Sequence, residues 1–404
     1  MVDAPSDRLL AGVRVLDVGR YVAGPYCATL LGYLGAEVVR GEKPGGGEDR
    51  YIAPLFARED GGPGEGGLFI QTGCGKKSVT LNLSDRRGRD ILGGLAARAD
   101  VVVANLPPRA LVRLGLDWPT FREANPRGVL VTQTAFGARG PDADKGGFDG
   151  VAQAMSGAMQ LTGTPGAPVK AGAPYVDFST AVFSALGALA ALMARDKTGR
   201  GQHVETTLLG SALAAMNSHL AEQAVVRANR QGTGNRVQTS APSDVFATRD
   251  GHLLVHTVGD GIFRRWARLV DRPELADDPA LQGDQARGDR RDELCAIMAD
   301  WCAARTRAEA LAALEAAGVP AGPALSMQEA LDNPQAAAMG FFVETMMAGL
   351  PRPAPAVDLP VSFSDLDAGV SGPPPARGAH TDEALIGLGL SPDEISALRA
   401  DGGV

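Results

Sequence analysis

The chain is poor in the residues that most often announce a mechanism. Aromatic residues make up 5% of its 404 positions, so its interior must be filled by Ala, Leu, Val and Gly. It has four cysteines and no CxxC pair. Cys295 and Cys302, on one expected helix, stand roughly 10 Å apart along its axis, too far to bridge. A reducing, cytoplasmic setting is therefore expected. Of the five histidines, His252 and His256 share a face of an expected strand. They lie about 13 Å apart, too distant for one metal, and no Cys/His/carboxylate cluster has ligand spacing. A GxSxG elbow and a GxxxxGK[ST] phosphate loop are both missing. Net charge is −8 with no long basic run, which argues against a nucleic-acid partner. Residues 1–8 are polar, so no signal peptide is expected.

What is present is enough apolar matter, 45% of the chain, for about two domains. In the first half strand-like and helix-like segments alternate. Strands are expected over residues 13–18, 36–40, 78–83, 101–104 and 128–134, and helices over 26–34, 85–98, 109–114 and 119–123. Parallel strands need such crossovers, which predicts a doubly wound α/β sheet. The pattern changes near residue 225. Residues 227–242 (RANRQGTGNRVQTSAP) are polar and irregular. They are followed by a hairpin-like stretch over 244–258 and helices over 262–270, 290–304 and 307–317, the pattern of a smaller α/β domain. Proline-rich connectors at 351–360 and 373–375 precede helices from Asp382 and over 392–400.

Asp177 heads an apolar segment, residues 178–194, that contains no charged side chain. A basic turn at 195–202 (RDKTGRGQ) and a strand over 203–209 follow. A carboxylate opening a helix meets unpaired N–H groups and the positive end of the dipole, which keeps it ionised. Asp177 therefore reads either as an ordinary N-cap or as part of a site where anionic charge is stabilised. The apolar segment is near the lower limit for a membrane span. Its Ser179, Thr180 and Ser184 favour a buried helix and no membrane partner. The turn at 19–25 (GRYVAGP) lies where α/β sheets hold ligands, although it is not GxGxxG. Lys43, Lys76, Lys77, Arg109 and Arg113 either converge around a polyanion or form a solvated surface. Asp149, in GGFD, opens a short helical segment.

Taken in order, several motifs resemble the family III CoA-transferases, which share a fold with the α-methylacyl-CoA racemases. They are LAGVRVLD at 10–17, AGP at 23–25, LGAEVVRGEKPGGGEDR at 34–50, GKKSVTLNL at 75–83 and VVANLPPRALVRLGLDW at 102–118. FDGVAQAMSG at 148–157 and DFSTAVFSALGALAALMARDKTGRGQHVETTL at 177–208 complete the set. The resemblance covers nearly the whole chain. It implies a Rossmann-like large domain, a smaller α/β domain and an interlocked homodimer. The corresponding division is residues 1–226, a linker at 227–242, the small domain at 243–335, and a segment at 336–404 that returns to the large domain.

The resemblance also implies that Asp177 is a covalent nucleophile. It would form an acyl-aspartyl anhydride and then an aspartyl-CoA thioester, with Asp149 orienting or supporting it electrostatically. The implied CoA contacts are Tyr21, Val22, Lys43, Gly75, Lys76, Asn105, Leu106 and Arg113. The substrates would be an acyl-CoA thioester and a free carboxylic acid, with no permanently bound cofactor. Lys43 stands where these transferases often carry arginine, and Val22 where formyl-CoA transferases carry glutamine. The polyglycine lid has only Gly232 and Gly234 as counterparts. Racemases of this fold carry His-Asp at the GFD site, and Phe148 takes the histidine position. That favours transfer over isomerisation. A racemase-like isomerase and a non-catalytic acyl-CoA-binding paralogue are the alternatives.

Overall fold

The computed structural model describes residues 8–57 and 63–404. The expectation placed on residues 1–8 therefore falls almost wholly outside the described residues. The chain divides into two compact units, one of Met1–Ser156, Gly172–Ala221 and Ala337–Val404, the other of Gly157–Ala171 and Glu222–Ala336.

The larger unit is built on six strands. They are β1 (Arg14–Asp17), β2 (Glu37–Glu42), β3 (Lys77–Thr80), β4 (Val101–Ala104), β5 (Val129–Thr134) and β6 (His203–Thr207). Their spatial order is 3-2-1-4-5-6, and every neighbouring pair is parallel. Val101, Val102, Val103 and Ala104 are all buried, as a strand covered on both faces requires. One face packs Val15, Val38, Val103 and Val131 under helices α1 (Ala23–Tyr33) and, further along the chain, the long Tyr175–Thr198 helix. The other face packs Leu16, Val79, Val102 and Leu130 under the Arg86–Arg98 helix and two C-terminal helices, Thr381–Leu388 and Pro392–Ala400. The expected mixed α/β architecture with a large parallel sheet is present.

The Tyr175–Thr198 helix differs from its expectation in three respects. It starts two residues before Asp177, behind Pro174. It absorbs residues 195–198 of the expected basic turn and stops at Gly199, which takes the left-handed conformation at φ 70°. Nor is it buried all round: Ala181, Ala185, Ala188 and Leu192 face the sheet, while Val182, Phe183, Leu186 and Met193 are exposed. By length and composition the helix could cross a membrane, yet its alanine face is packed within the unit.

In the second unit, Ser243–Thr248 and Gly251–His256 form an antiparallel hairpin, and Ala321–Pro323 pairs with the latter strand. Helices Asp260–Leu269, Arg291–Ala303 and Arg307–Ala316 cover this sheet around Trp266, Leu294, Met298 and Leu314. Residues 227–242 contain no helix or strand. Gly232 lies in this unit against the carbonyls of Gln160 and Gly163, and the Gly234 N–H donates to Gly163 O over 2.8 Å.

Candidate functional site

Three chain segments meet at the carboxyl end of the parallel sheet. The first is the turn that leaves β1. Gly19 N–H donates to Asp17 Oδ1 over 2.8 Å. Asn105 then grips both sides of Arg20: its Oδ1 accepts from Arg20 N–H and its Nδ2 donates to Arg20 O, each at 2.6 Å. Tyr21 follows with φ 61°, a left-handed backbone that a bulky residue rarely adopts. Val22 is buried and immediately precedes α1, which has no side-chain cap. The second segment is α2 (Asp149–Met155), and the third is the amino end of α3 (Tyr175–Thr198). Because α3 leads into the start of β6, it runs against the strands, which puts its amino end with their carboxyl ends.

The junction between these helices is formed by Asp149. Its Oδ2 accepts the backbone N–H groups of Val176, at 2.8 Å, and of Asp177, at 3.0 Å. These are the second and third residues of α3, the same N–H groups that an N-cap side chain ordinarily takes. Asp177 is therefore not the cap of its own helix. Asp149 caps it from a distance, and the Asp177 carboxylate is left for other work. Asp149 Oδ1 is held by Gln153 Nε2, one helical turn further along α2. Phe148, at the start of α2, is 61% exposed and meets Tyr21 edge-on, with ring centroids 5.4 Å apart. Tyr21, Phe148, Asp149 and Asp177 thus form one connected group.

The electrostatics of Asp177 also differ from the sequence-based expectation of a fully ionised carboxylate. Burial, and then the neighbouring Asp149 charge, push it up to about 7. At neutral pH the group is divided between its two protonation states, and its ionised form is more basic than an ordinary aspartate.

Lys76 immediately precedes β3 and Lys77 opens it, and the two have separate partners. Lys76 Nζ is buried, 2.7 Å from both Asp17 Oδ2 and Pro25 O. Burial draws its ammonium downward against the opposing attraction of Asp17. Lys77 pairs with Glu37 and Glu383, both at 2.8 Å. Lys43 pairs with Glu48 at 3.0 Å. Arg109 faces Asp144 at 3.7 Å, and Arg113 is exposed on the Pro108–Leu114 helix. Four of these five cations are paired with carboxylates, and Arg113 is exposed. Leu106 is buried in the core. Gly75 has φ 72°, and a Cβ there would collide with Ser371 Oγ. Sequence reasoning missed Asp17 and Gln153. The Asp-x-x-x-Gln spacing of Asp149 and Gln153 was the available signal for the second.

The comparisons with known proteins settle the class: the chain is a CoA-transferase. It belongs to CoA-transferase family III, whose sequence profile matches residues 10–381. It is 33% identical to succinyl-CoA–D-citramalate CoA-transferase of Chloroflexus aurantiacus, over 97% of each chain. It is 32% identical to mouse succinyl-CoA:glutarate CoA-transferase, over 95% of this chain and 87% of that one. Among solved structures, a CAIB/BAIF family protein from Brucella suis superposes with a TM-score of 0.83 at 29% identity. That superposition covers 95% of this chain and all of the other, 100%.

Proposed function

We propose that the protein moves CoA from an acyl-CoA thioester to a free carboxylic acid through covalent intermediates on Asp177. The ionised carboxylate attacks the thioester carbonyl, the C–S bond breaks, and an acyl-aspartyl anhydride and CoA thiolate result. The thiolate attacks the aspartyl carbonyl of the anhydride and releases the donor acid, leaving an aspartyl-CoA thioester. The acceptor carboxylate then attacks that thioester to give a new anhydride and thiolate. Attack of the thiolate on the new acyl carbonyl forms product acyl-CoA and restores the Asp177 carboxylate. No proton is consumed in the cycle.

The observation that carries this reading is the division of labour between the two aspartates. Asp149 binds the helix N–H groups, so Asp177 projects a half-buried carboxylate, of raised basicity, from a helix start at the carboxyl end of the sheet. A more basic carboxylate is a better nucleophile toward a thioester. The positive end of the α3 dipole lies beside it and favours the negative charge of the tetrahedral oxyanions.

CoA is placed along the turn of Tyr21 and Val22, with Lys43, Gly75, Lys76, Asn105, Leu106 and Arg113 as the family-derived contacts. In support, Asn105 and Lys76 both bind that turn directly. Lys76 Nζ and both amide atoms of Asn105 are engaged with the turn, so their service to CoA is to shape it. We further assign a Rossmann-like, doubly wound plan to the large unit, which its 3-2-1-4-5-6 order supports. A homodimer is supported by the exposed apolar side of α3, and a cytoplasmic location by four free, buried cysteines.

The test is a matrix of acyl-CoA donors against carboxylic acid acceptors, read by mass spectrometry, together with intact-protein mass during turnover. Two relatives are named for succinyl-CoA, so it heads the donors. A mass increment of one CoA on the wild-type chain, absent from Asp177→Ala, is expected. Turnover by Asp177→Ala at a wild-type rate would end this reading.

A further inference from the structure

Gln153 lies on α2 with 1% of its surface exposed, in a helix of only seven residues. Its neighbours one turn back and one residue before explain the burial: Asp149 and Ala152 share its face, while Val151 and Met155 are exposed. A buried amide must find hydrogen-bond partners, and Gln153 Nε2 donates to Asp149 Oδ1. The other oxygen of the same carboxylate holds Val176 and Asp177 by their backbone N–H groups. Asp149 is thus tied at one oxygen to its own helix and at the other to α3.

An unbraced carboxylate could rotate about χ2, a broad torsion with no sharp minimum. Rotation would release the two N–H groups at the start of α3, and the backbone that aims the Asp177 side chain would lose its anchor. The Gln153 amide removes that freedom. Because it sits in the same helix as Asp149, the brace needs no contact with any ligand.

We infer that Gln153 is a positioning residue for the transfer reaction: its amide fixes Asp149, and Asp149 fixes the backbone from which Asp177 reacts. The inference rests on the reading of Asp177 as the nucleophile. Its effect falls on the geometry of attack rather than on the binding of CoA, which lies along a different turn. Small displacements of a reacting group cost about 10²-fold in rate.

The test is a double-mutant cycle in the full-length protein. Gln153→Met keeps the length and volume of the side chain and removes the donor. It should lower kcat by about 10- to 100-fold while KM for acyl-CoA stays within about threefold. In an Asp149→Ala background the same substitution should lower kcat no further, because the group it braces is gone. A packing role alone would give an equal loss in both backgrounds. Gln153→Asn, which keeps the amide but loses reach, should fall between wild type and Gln153→Met. It carries the cycle if the methionine variant does not fold. Wild-type kcat in Gln153→Met, or full additivity in the cycle, would overturn the inference. Asp177→Ala is run beside them. If it is inactive and the cycle is additive, only the role of Gln153 fails; if it is active, the nucleophile reading fails whatever the cycle shows.

Discussion

Lys76 Nζ lies 2.7 Å from Asp17 Oδ2, and neither side chain is exposed to solvent. The same ammonium donates to Pro25 O, and the same carboxylate binds Gly19 N–H and Arg40. The pair therefore staples both ends of the turn that carries Tyr21. Removing one partner of a buried pair typically costs about 3–5 kcal/mol, and because Arg40 still faces Asp17 at 3.4 Å the lower end, about 3 kcal/mol, applies here. Lys76→Met is expected to lose that much in urea denaturation and to raise KM for acyl-CoA. An unchanged denaturation midpoint with raised KM would mean instead that Lys76 touches CoA itself.

Asp149→Ala removes a cap that acts across 28 positions of sequence. It should destabilise the protein by about 0.5–2 kcal/mol, as loss of a local cap does. Asp177→Ala should cost nothing and near neutral pH should stabilise, because Asp177 caps nothing and its surroundings disfavour its charge. Thermal unfolding of the two variants under one buffer distinguishes them, and the reverse order would contradict the remote cap.

The acidity of Asp177 predicts two opposite pH trends. On the proposed mechanism transfer requires the ionised carboxylate, so kcat/KM should rise with pH through about 7 and then level. Removing the like charge in Asp149→Asn should move that limb to lower pH. Stability should run the other way. Between the ordinary aspartate value of 3.8 and about 7 the folded state holds a proton that the unfolded state has lost. Stability therefore falls as pH rises across this window. Asp177→Asn should abolish that component, and an identical pH–stability slope in wild type and variant would refute the assignment.

Phe148 carries no titratable group at the place where a two-base isomerase needs one. Incubation with acyl-CoA in D₂O should introduce no deuterium at the α-carbon at a rate comparable with turnover. Exchange as fast as turnover would favour an isomerase.

Val182, Leu186 and Met193 form an exposed apolar stripe on α3, with Leu186 61% exposed. If a second copy covers it, light scattering should give twice the chain mass at every measurable dilution. Leu186→Glu should then weaken association. A folded, active monomer would exclude the dimer.

The parts of this molecule legible in the sequence are those decided locally. Val101–Ala104 reads as a strand because four consecutive apolar, mostly β-branched residues suit a position buried on both faces. The end of α3 carries a local signal, Arg195 and Lys197 in a last turn closed by Gly199, which reads as a basic turn only if the charged run is separated from the apolar segment before it. The start of α3 is different. Its cap is Asp149, and no local rule looks that far. Lysine is so rarely buried that Lys76 is expected at the surface or toward a ligand, and its enclosure depends on Asp17, a residue of β1. Asp177 and Asp149 are both legible in the sequence, but that Asp149 is the residue capping α3 shows only with the two helices side by side.

The larger unit is written in pieces, and its last piece closes one face of the sheet. Leu385, Ile395 and Leu398 cover Val79 and Leu92, while Thr381 Oγ1 accepts from Thr80 N–H and Asn82 N–H donates to Gly403 O. A ribosome delivers β1 to β6 long before these helices. The nascent sheet must wait with that face partly bare through the synthesis of some hundred and seventy further residues, from 208 to 380. The protein's exposure to misassembly is therefore set by the tempo of translation, and shortening the chain at its far end should harm solubility before it harms chemistry.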